Sequence, residues 1–172
     1  EQILRLGFAV IDHRVSPEGP SDATDSWAES SEAILESLPV ESAALESTRR
    51  LYRSIGLDPT KDRPSSERLL RGARRGRLPR RLHPLTDAMS LVSLAEQCPV
   101  GAYDCSRLSL PIVARLGRRD EIVAIDPDTT MQVGGRLVLA DALGPFGNPS
   151  CDGLRARPTE ATRRALVVVW LV

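Results

Sequence analysis

Eight arginines and a single glutamate stand in RPSSERLLRGARRGRLPRRL, residues 63 to 82. A guanidinium stays ionised at physiological pH and can offer two parallel donors, so such a cluster suits phosphate groups. A solvated helix face, balanced by acids elsewhere in the chain, is the structural alternative. The aromatic residues expected of a single-strand stacking platform are missing from this stretch. His13 and His83 are the only histidines, too few for most histidine-based metal sites, and no CxxC, HExxH or EF-hand pattern occurs. No metal site is therefore expected. His83 lies beside the arginine cluster as a phosphate contact, a base or a turn histidine, and His13 beside Asp12 carries similar alternatives. Neither GxxxxGK[ST] nor GxGxxG is present, so no nucleotide cofactor is expected, and no GxSxG elbow frames a serine. Cys98, Cys105 and Cys151 lack metal-type spacing and read as free thiols of a reducing compartment.

The elements that must position these groups come from 172 residues, 41% hydrophobic and 27% charged, the size and mix of one globular domain. Formal net charge is zero, but the charge is segregated. Residues 1–48 hold ten acids against two arginines, a local charge of −8, and residues 49–81 hold twelve basic residues against three acids, a local charge of +9. A polyanion meets the local field rather than the sum. Of 23 basic residues only Lys61 is lysine, which codon preference in a GC-rich genome or selection for phosphate contacts would each produce. The longest apolar run, Ala165 to Val172, has a strand's length and falls short of the ~18 residues of a membrane span. Nor do residues 1–15 form a secretory signal. A soluble, cytoplasmic domain is the expectation, and the apolar ending VVVWLV leaves room for further C-terminal sequence.

Residues 4–15 read as a strand, and 16–30 as a loop leading into a helix. Glu32–Leu38 reads as a short helix stopped by Pro39. Val40–Ile55 is the clearest helix, its apolar residues recurring at three- and four-residue steps up to a C-cap glycine, Gly56. A helix beginning at Ser65 or Ser66 turns Leu69, Leu70 and Ala73 inward and its arginines outward, and Leu85–Cys98 is a further amphipathic helix. Residues 99–108 read as a loop. Short β-branched runs follow at 112–116, 121–125, 136–140 and 165–172, with an extended loop over 143–155. Strand, helices and then several strands predict an α+β domain rather than a doubly wound sheet.

Three blocks of the chain together resemble the tRNA-editing domain of the bacterial phenylalanyl-tRNA synthetase beta subunit, the B-three/B-four domain, and especially its free-standing relatives. They are residues 51–94, with the LDPT turn and the RPSS helix start; CPVGAYDCSRL; and residues 136–169, with VLAD and CDGLR. The resemblance covers roughly residues 45–170. It implies a single α+β domain over 1–172 with mixed or antiparallel sheet layers, flanking helices and a cleft between them. In the synthetase that cleft receives the 3′ end of a mischarged tRNA and hydrolyses the aminoacyl ester.

On this resemblance the expected activity is trans-acting aminoacyl-tRNA deacylation, with the tRNA acceptor end as partner. Asp87, Ser90, Gly101 and Asp152 would form the amino-acid pocket, with Asp152 and Ser90 as catalytic candidates. Arg68, Arg71, Arg74, Arg75, Arg77, Arg80 and Arg81 would hold RNA. The chain departs from the synthetase pattern at Gly101, where that family carries a histidine, at Ser90 in place of an asparagine, and near Pro149, where the editing glutamate would fall. Gly153 replaces the serine of the "asp-ser-x-arg" turn. Two further readings stand beside this one: a non-catalytic RNA-binding module, and a small-molecule or protein-interaction domain whose arginines pair with the acidic N-terminal third. They differ in whether the arginines of 63–81 line the cleft or lie against Glu29–Glu46. Asp152 and Arg155 carry a structural alternative, a buried ion pair or a capped turn joining the last two strands.

Overall fold

The computed structural model describes residues 4–12, 23–38, 42–77 and 83–171. His13, Arg80 and Arg81 lie outside the described residues. Strand β1 (Arg5–Asp12) is followed by four helices, α1 (Ala23–Ser37), α2 (Ala43–Ser54), α3 (Ser65–Ala73) and α4 (Pro84–Glu96). The remaining strands are β2 (Val100–Asp104), β3 (Val113–Leu116), β4 (Ile122–Asp126), β5 (Thr129–Gln132), β6 (Leu137–Asp141), β7 (Gly144–Asn148), β8 (Cys151–Asp152) and β9 (Arg164–Leu171). Strands pair antiparallel in three sheets of order β1-β9-β2, β3-β6-β7-β8 and β4-β5. The α+β architecture expected from the order of the elements is the one observed.

The helices start and stop where their end residues satisfy otherwise orphaned backbone groups. Ser42 caps α2, its Oγ accepting from the Leu45 N–H at 3.4 Å. The helix closes at Gly56, in the left-handed region at φ +80°, with the Leu57 N–H donating to the Tyr52 carbonyl and the Gly56 N–H to that of Arg53. That is the Schellman arrangement, which glycine adopts without a Cβ penalty. His83 caps α4, where its Nδ1 accepts from the Leu85 N–H at 3.2 Å and Pro84 occupies the first helical position.

The principal core lies around Tyr103, Leu139, Phe146, Leu166, Val168 and Trp170, with Leu51 of α2 packed against it. It joins the faces of the two larger sheets. A second cluster of Leu70, Ala73 and Leu94 joins α3 to α4.

Several boundaries differ from the sequence reading. The expected loop at 99–108 contains β2 and a short 3₁₀ turn, because VGAYD is covered on both faces and shows no alternation to read. The expected loop at 143–155 contains β7 and β8. Its glycines and prolines mask strand character, and the β6–β7 register shifts between Leu139 and Ala140. Helix α1 begins nine residues before Glu32, at Ala23. Strand β5, a short partner of β4, gives no run long enough to notice.

Candidate active site

The turn between β7 and β8 is the centre of the site. Asn148 closes it, with Oδ1 accepting from the backbone N–H groups of Ser150 and Cys151 at 2.8 and 3.0 Å. Three hydrogen bonds then fasten the turn to the helices. The Tyr52 hydroxyl and Ser150 Oγ lie 2.8 Å apart, Arg68 Nη2 donates to the Ser150 carbonyl at 2.6 Å, and the Ser65 N–H donates to the Pro149 carbonyl at 2.9 Å. Immediately afterwards the Gly153 N–H donates to the Phe146 carbonyl at 2.8 Å. A Cβ at Gly153 would stand 2.5 Å from that carbonyl oxygen, so the close approach requires glycine. Asp152 is thereby held in place from both sides.

Beside it opens a cavity of about 300 Å³, near the lower end of small-molecule pockets. Ser65, Arg68 and Leu69 of α3 line one side and Thr86 and Ser90 of α4 another. Val100, Gly101 and Trp170 complete the wall from the first sheet, and Ile125, Asp126, Cys151, Asp152 and Arg157 close the far side. Burial raises the Asp152 carboxyl pKa; the Tyr103 hydroxyl and the charges of Arg157 and Arg68 oppose it, leaving the pKa at about 6. The Tyr103 hydroxyl is fully buried and has no partner of regular hydrogen-bond geometry, yet it stands close enough to Asp152 for each to shift the other. Gly101 makes room for this pair. A Cβ there would fall 2.5 Å from the Tyr103 hydroxyl and 2.7 Å from Asp152 Oδ1.

Ser90, Gly101 and Asp152 therefore meet at one cavity. Asp87 does not line it and is buried in the first turn of α4. Ser90 Oγ donates to the Thr86 carbonyl at 2.9 Å, which leaves its lone pairs, not its proton, for a ligand. Cys151 is no activated thiol, since burial and Asp152 push its pKa up. Arg155 pairs with Asp141 instead of Asp152, in a two-armed contact with both distances 3.0 Å. Among the described residues, no group of three or more His, Cys, Asp or Glu gathers as a metal site would.

The arginines divide among three surroundings. Arg68 reaches the cavity, and with Arg63, Arg71, Arg75 and Arg77 it also lines a second concavity of about 290 Å³. Arg74, and Arg71 again, line a groove with Glu46, Arg49 and Glu67. Arg63 and Arg71 lie 3.4 and 4.0 Å from Glu67 of their own segment, while Glu46 is met by Arg49 and Arg53 of α2.

Residues 47–172 match the family model of the B3/4 domain. This chain belongs to the B3/4 domain family. A solved structure similar to this B3/4 domain is an N-terminal fragment of the phenylalanyl-tRNA synthetase beta-subunit from Pyrococcus horikoshii. It is 17% identical with a TM-score of 0.43, and the match covers 52% of this chain and 36% of that one. The chain thus spans about a third of that fragment. No curated protein matches it. Among the described residues no helix is long and apolar enough to cross a membrane.

Sequence reasoning passed over several lining or supporting groups of this B3/4 domain. Arg157 donates to the Ile125 carbonyl at 2.7 Å and, more weakly, to the Asp152 carbonyl at 3.3 Å. These bonds pin β4 against the site. Tyr103 and Asn148 both fall in stretches that read in sequence as loops. Tyr103 gains its role through contacts across strands, which no local pattern announces, while Asn148 acts locally on the turn that follows it.

Proposed function

We propose that this B3/4 domain is a trans-acting aminoacyl-tRNA deacylase whose general base is Asp152. Supporting this reading above all is a carboxyl group with pKa about 6, set in a cavity of about 300 Å³ that shares Arg68 with an arginine-lined concavity. A base whose pKa lies just below neutrality is ionised at pH 7 while keeping useful basicity. Asp152 takes a proton from water as the water oxygen attacks the ester carbonyl. The tetrahedral intermediate then expels the terminal ribose oxygen, which recovers that proton from Asp152. The guanidiniums of Arg68 and Arg157 flank the carboxylate and offset the negative charge that develops on the carbonyl oxygen. A small amino acid would occupy the space beside Gly101 and Ser90.

A panel of mischarged tRNAs tests this reading. The full chain is expected to deacylate at least one far faster than buffer does, and Asp152→Asn to slow that reaction by about 100-fold or more, the usual contribution of a general base. A panel left intact by the native protein would contradict it.

A second reading, RNA binding without turnover, has one observation in its favour. Asp126, the other lining carboxylate, is exposed and faces Arg157 at 3.5 Å, so the cavity holds no carboxylate besides Asp152 that is free of an arginine contact. That reading predicts salt-sensitive binding with no hydrolysis. A protein-interaction role in which the arginines neutralise Glu29–Glu46 has less support, since Arg63 and Arg71 face Glu67 instead.

A further inference from the structure

Tyr103 reaches from one of the larger sheets to the other. It lies on β2 with no exposed surface, and its ring meets the Phe146 ring of β7 edge-on, the centroids 4.9 Å apart and the planes at 80°. Its hydroxyl ends in a slot that two glycines leave open. Gly101 stands two residues earlier on β2 and so shares a face of that strand with Tyr103. Gly147 lies on β7, opposite Asp152 of β8. A Cβ at either glycine would overlap the same hydroxyl. Strands of two different sheets therefore both go without a side chain around one oxygen atom, the mark of a close approach.

The slot holds one polar pair. The Tyr103 hydroxyl and Asp152 Oδ1 stand around a single point, 2.5 and 2.7 Å from where the Gly101 Cβ would lie. Elsewhere among the described residues the buried hydroxyl has no partner. Burial pushes the phenol pKa well above its usual value, so the hydroxyl stays protonated and is the donor. Towards a carboxylate such a bond is of the stronger, charge-assisted kind. An aspartate's second side-chain torsion is broad and two-fold, so the course of β8 alone does not decide which oxygen meets a substrate. A donor fixed on one side of the carboxylate does decide it. The other ionisable groups around Asp152 come from separate places: Arg68 from α3, Arg157 from the segment before β9, Cys151 beside it on β8, and Asp126 from β4 across the same cavity. A variant at Tyr103 alters none of them.

We infer that Tyr103 is a positioning residue for Asp152: its hydroxyl, seated between Gly101 and Gly147, donates to one carboxylate oxygen and turns the other towards the cavity. This inference rests on the proposed function for what Asp152 does there, though its first test requires no turnover.

That test is carbon-13 NMR of the Asp152 carboxyl, titrated from pH 4 to pH 8 in the full chain. Tyr103→Phe keeps the ring and removes the donor. The Asp152 midpoint should then rise by about one pH unit or more, because a hydrogen bond to the charged form favours ionisation. Fluorotyrosine at position 103 makes the phenol a stronger donor with little change of size, and should lower the midpoint. It also serves where Tyr103→Phe does not fold. A merely structural Tyr103 would shift the denaturation midpoint of these variants and leave the Asp152 titration where it was. That result, or a fall in Tyr103→Phe, would overturn the inference. On whichever mischarged tRNA is the best substrate, the pH at which the single-turnover rate levels off should move up in Tyr103→Phe together with the carboxyl midpoint. A levelling point that stays put while the midpoint moves would overturn the positioning role. Native protein that deacylates nothing, with the titration shifts as expected, would refute the activity and leave the Tyr103–Asp152 contact standing.

Discussion

Asp152 is a carboxylate whose ionisation folding opposes. Its pKa rises from 3.8 to about 6, with burial as the largest cause. Between those values the folded state binds more protons than the unfolded one, so this group's contribution to stability falls as pH rises, by at most about 3 kcal/mol. Below pH 3.8 the penalty is absent, and above pH 6 it is complete. Asparagine keeps an oxygen to face the Tyr103 hydroxyl without the charge. Asp152→Asn is therefore expected to unfold at higher denaturant than the native protein at pH 7.5, the gap closing towards pH 4. Chemical unfolding at several pH values measures this, and a gap that widens with acid would contradict it. At this scale the sequence was partly legible. Ser90, Gly101 and Asp152 converge as the resemblance of their blocks implies, but Asp87, one turn from Ser90, does not line the cavity. The partner of Arg155 proved to be Asp141, buried at the end of β6. Ion-pair choice depends on which strands adjoin, and spacing along the chain does not carry that information.

Helix α3 and its closing turn form the element that presents the arginines. Gly76, at φ +67°, has open space where a Cβ would go, so the cost of a side chain there is purely conformational. Gly76→Ala should lose about 1 kcal/mol or slightly more, measured as a lower denaturation midpoint with unchanged slope. No loss would mean that the turn does not hold the left-handed conformation in solution. The helices were the readable part of this fold. Their apolar periods and end residues act locally, as at Ser42 and Gly56 around α2. Strands β2, β7 and β8 were read as loops. Strand β2 forms against a partner distant in sequence, Gly101 opposite Val168, whereas β7 and β8 pair with each other across a tight turn, Gly147 opposite Asp152. Their own residues are small or conformationally awkward, and β propensity depends strongly on such neighbours.

Across the molecule, five arginines of the +9 segment gather on the flank of the cavity, although the chain as a whole is neutral. The carboxylate and the guanidinium of Arg68 come from different elements, and the docking of α3 on the β7–β8 turn through Ser65 and Arg68, with α2 held to the same turn through Tyr52, brings them together. A phosphate-holding surface and a proton-accepting group would then act on adjacent parts of one substrate, with the backbone held outside and the ester within. The most direct measurement is the single-turnover deacylation rate from pH 5 to pH 8 on whichever mischarged tRNA is the best substrate. The account predicts a rate that rises about tenfold per pH unit at first and levels off near pH 6, with the rise lost in Asp152→Asn. A rate equally high in both proteins, or one that climbs with hydroxide across the whole range without levelling, would contradict it.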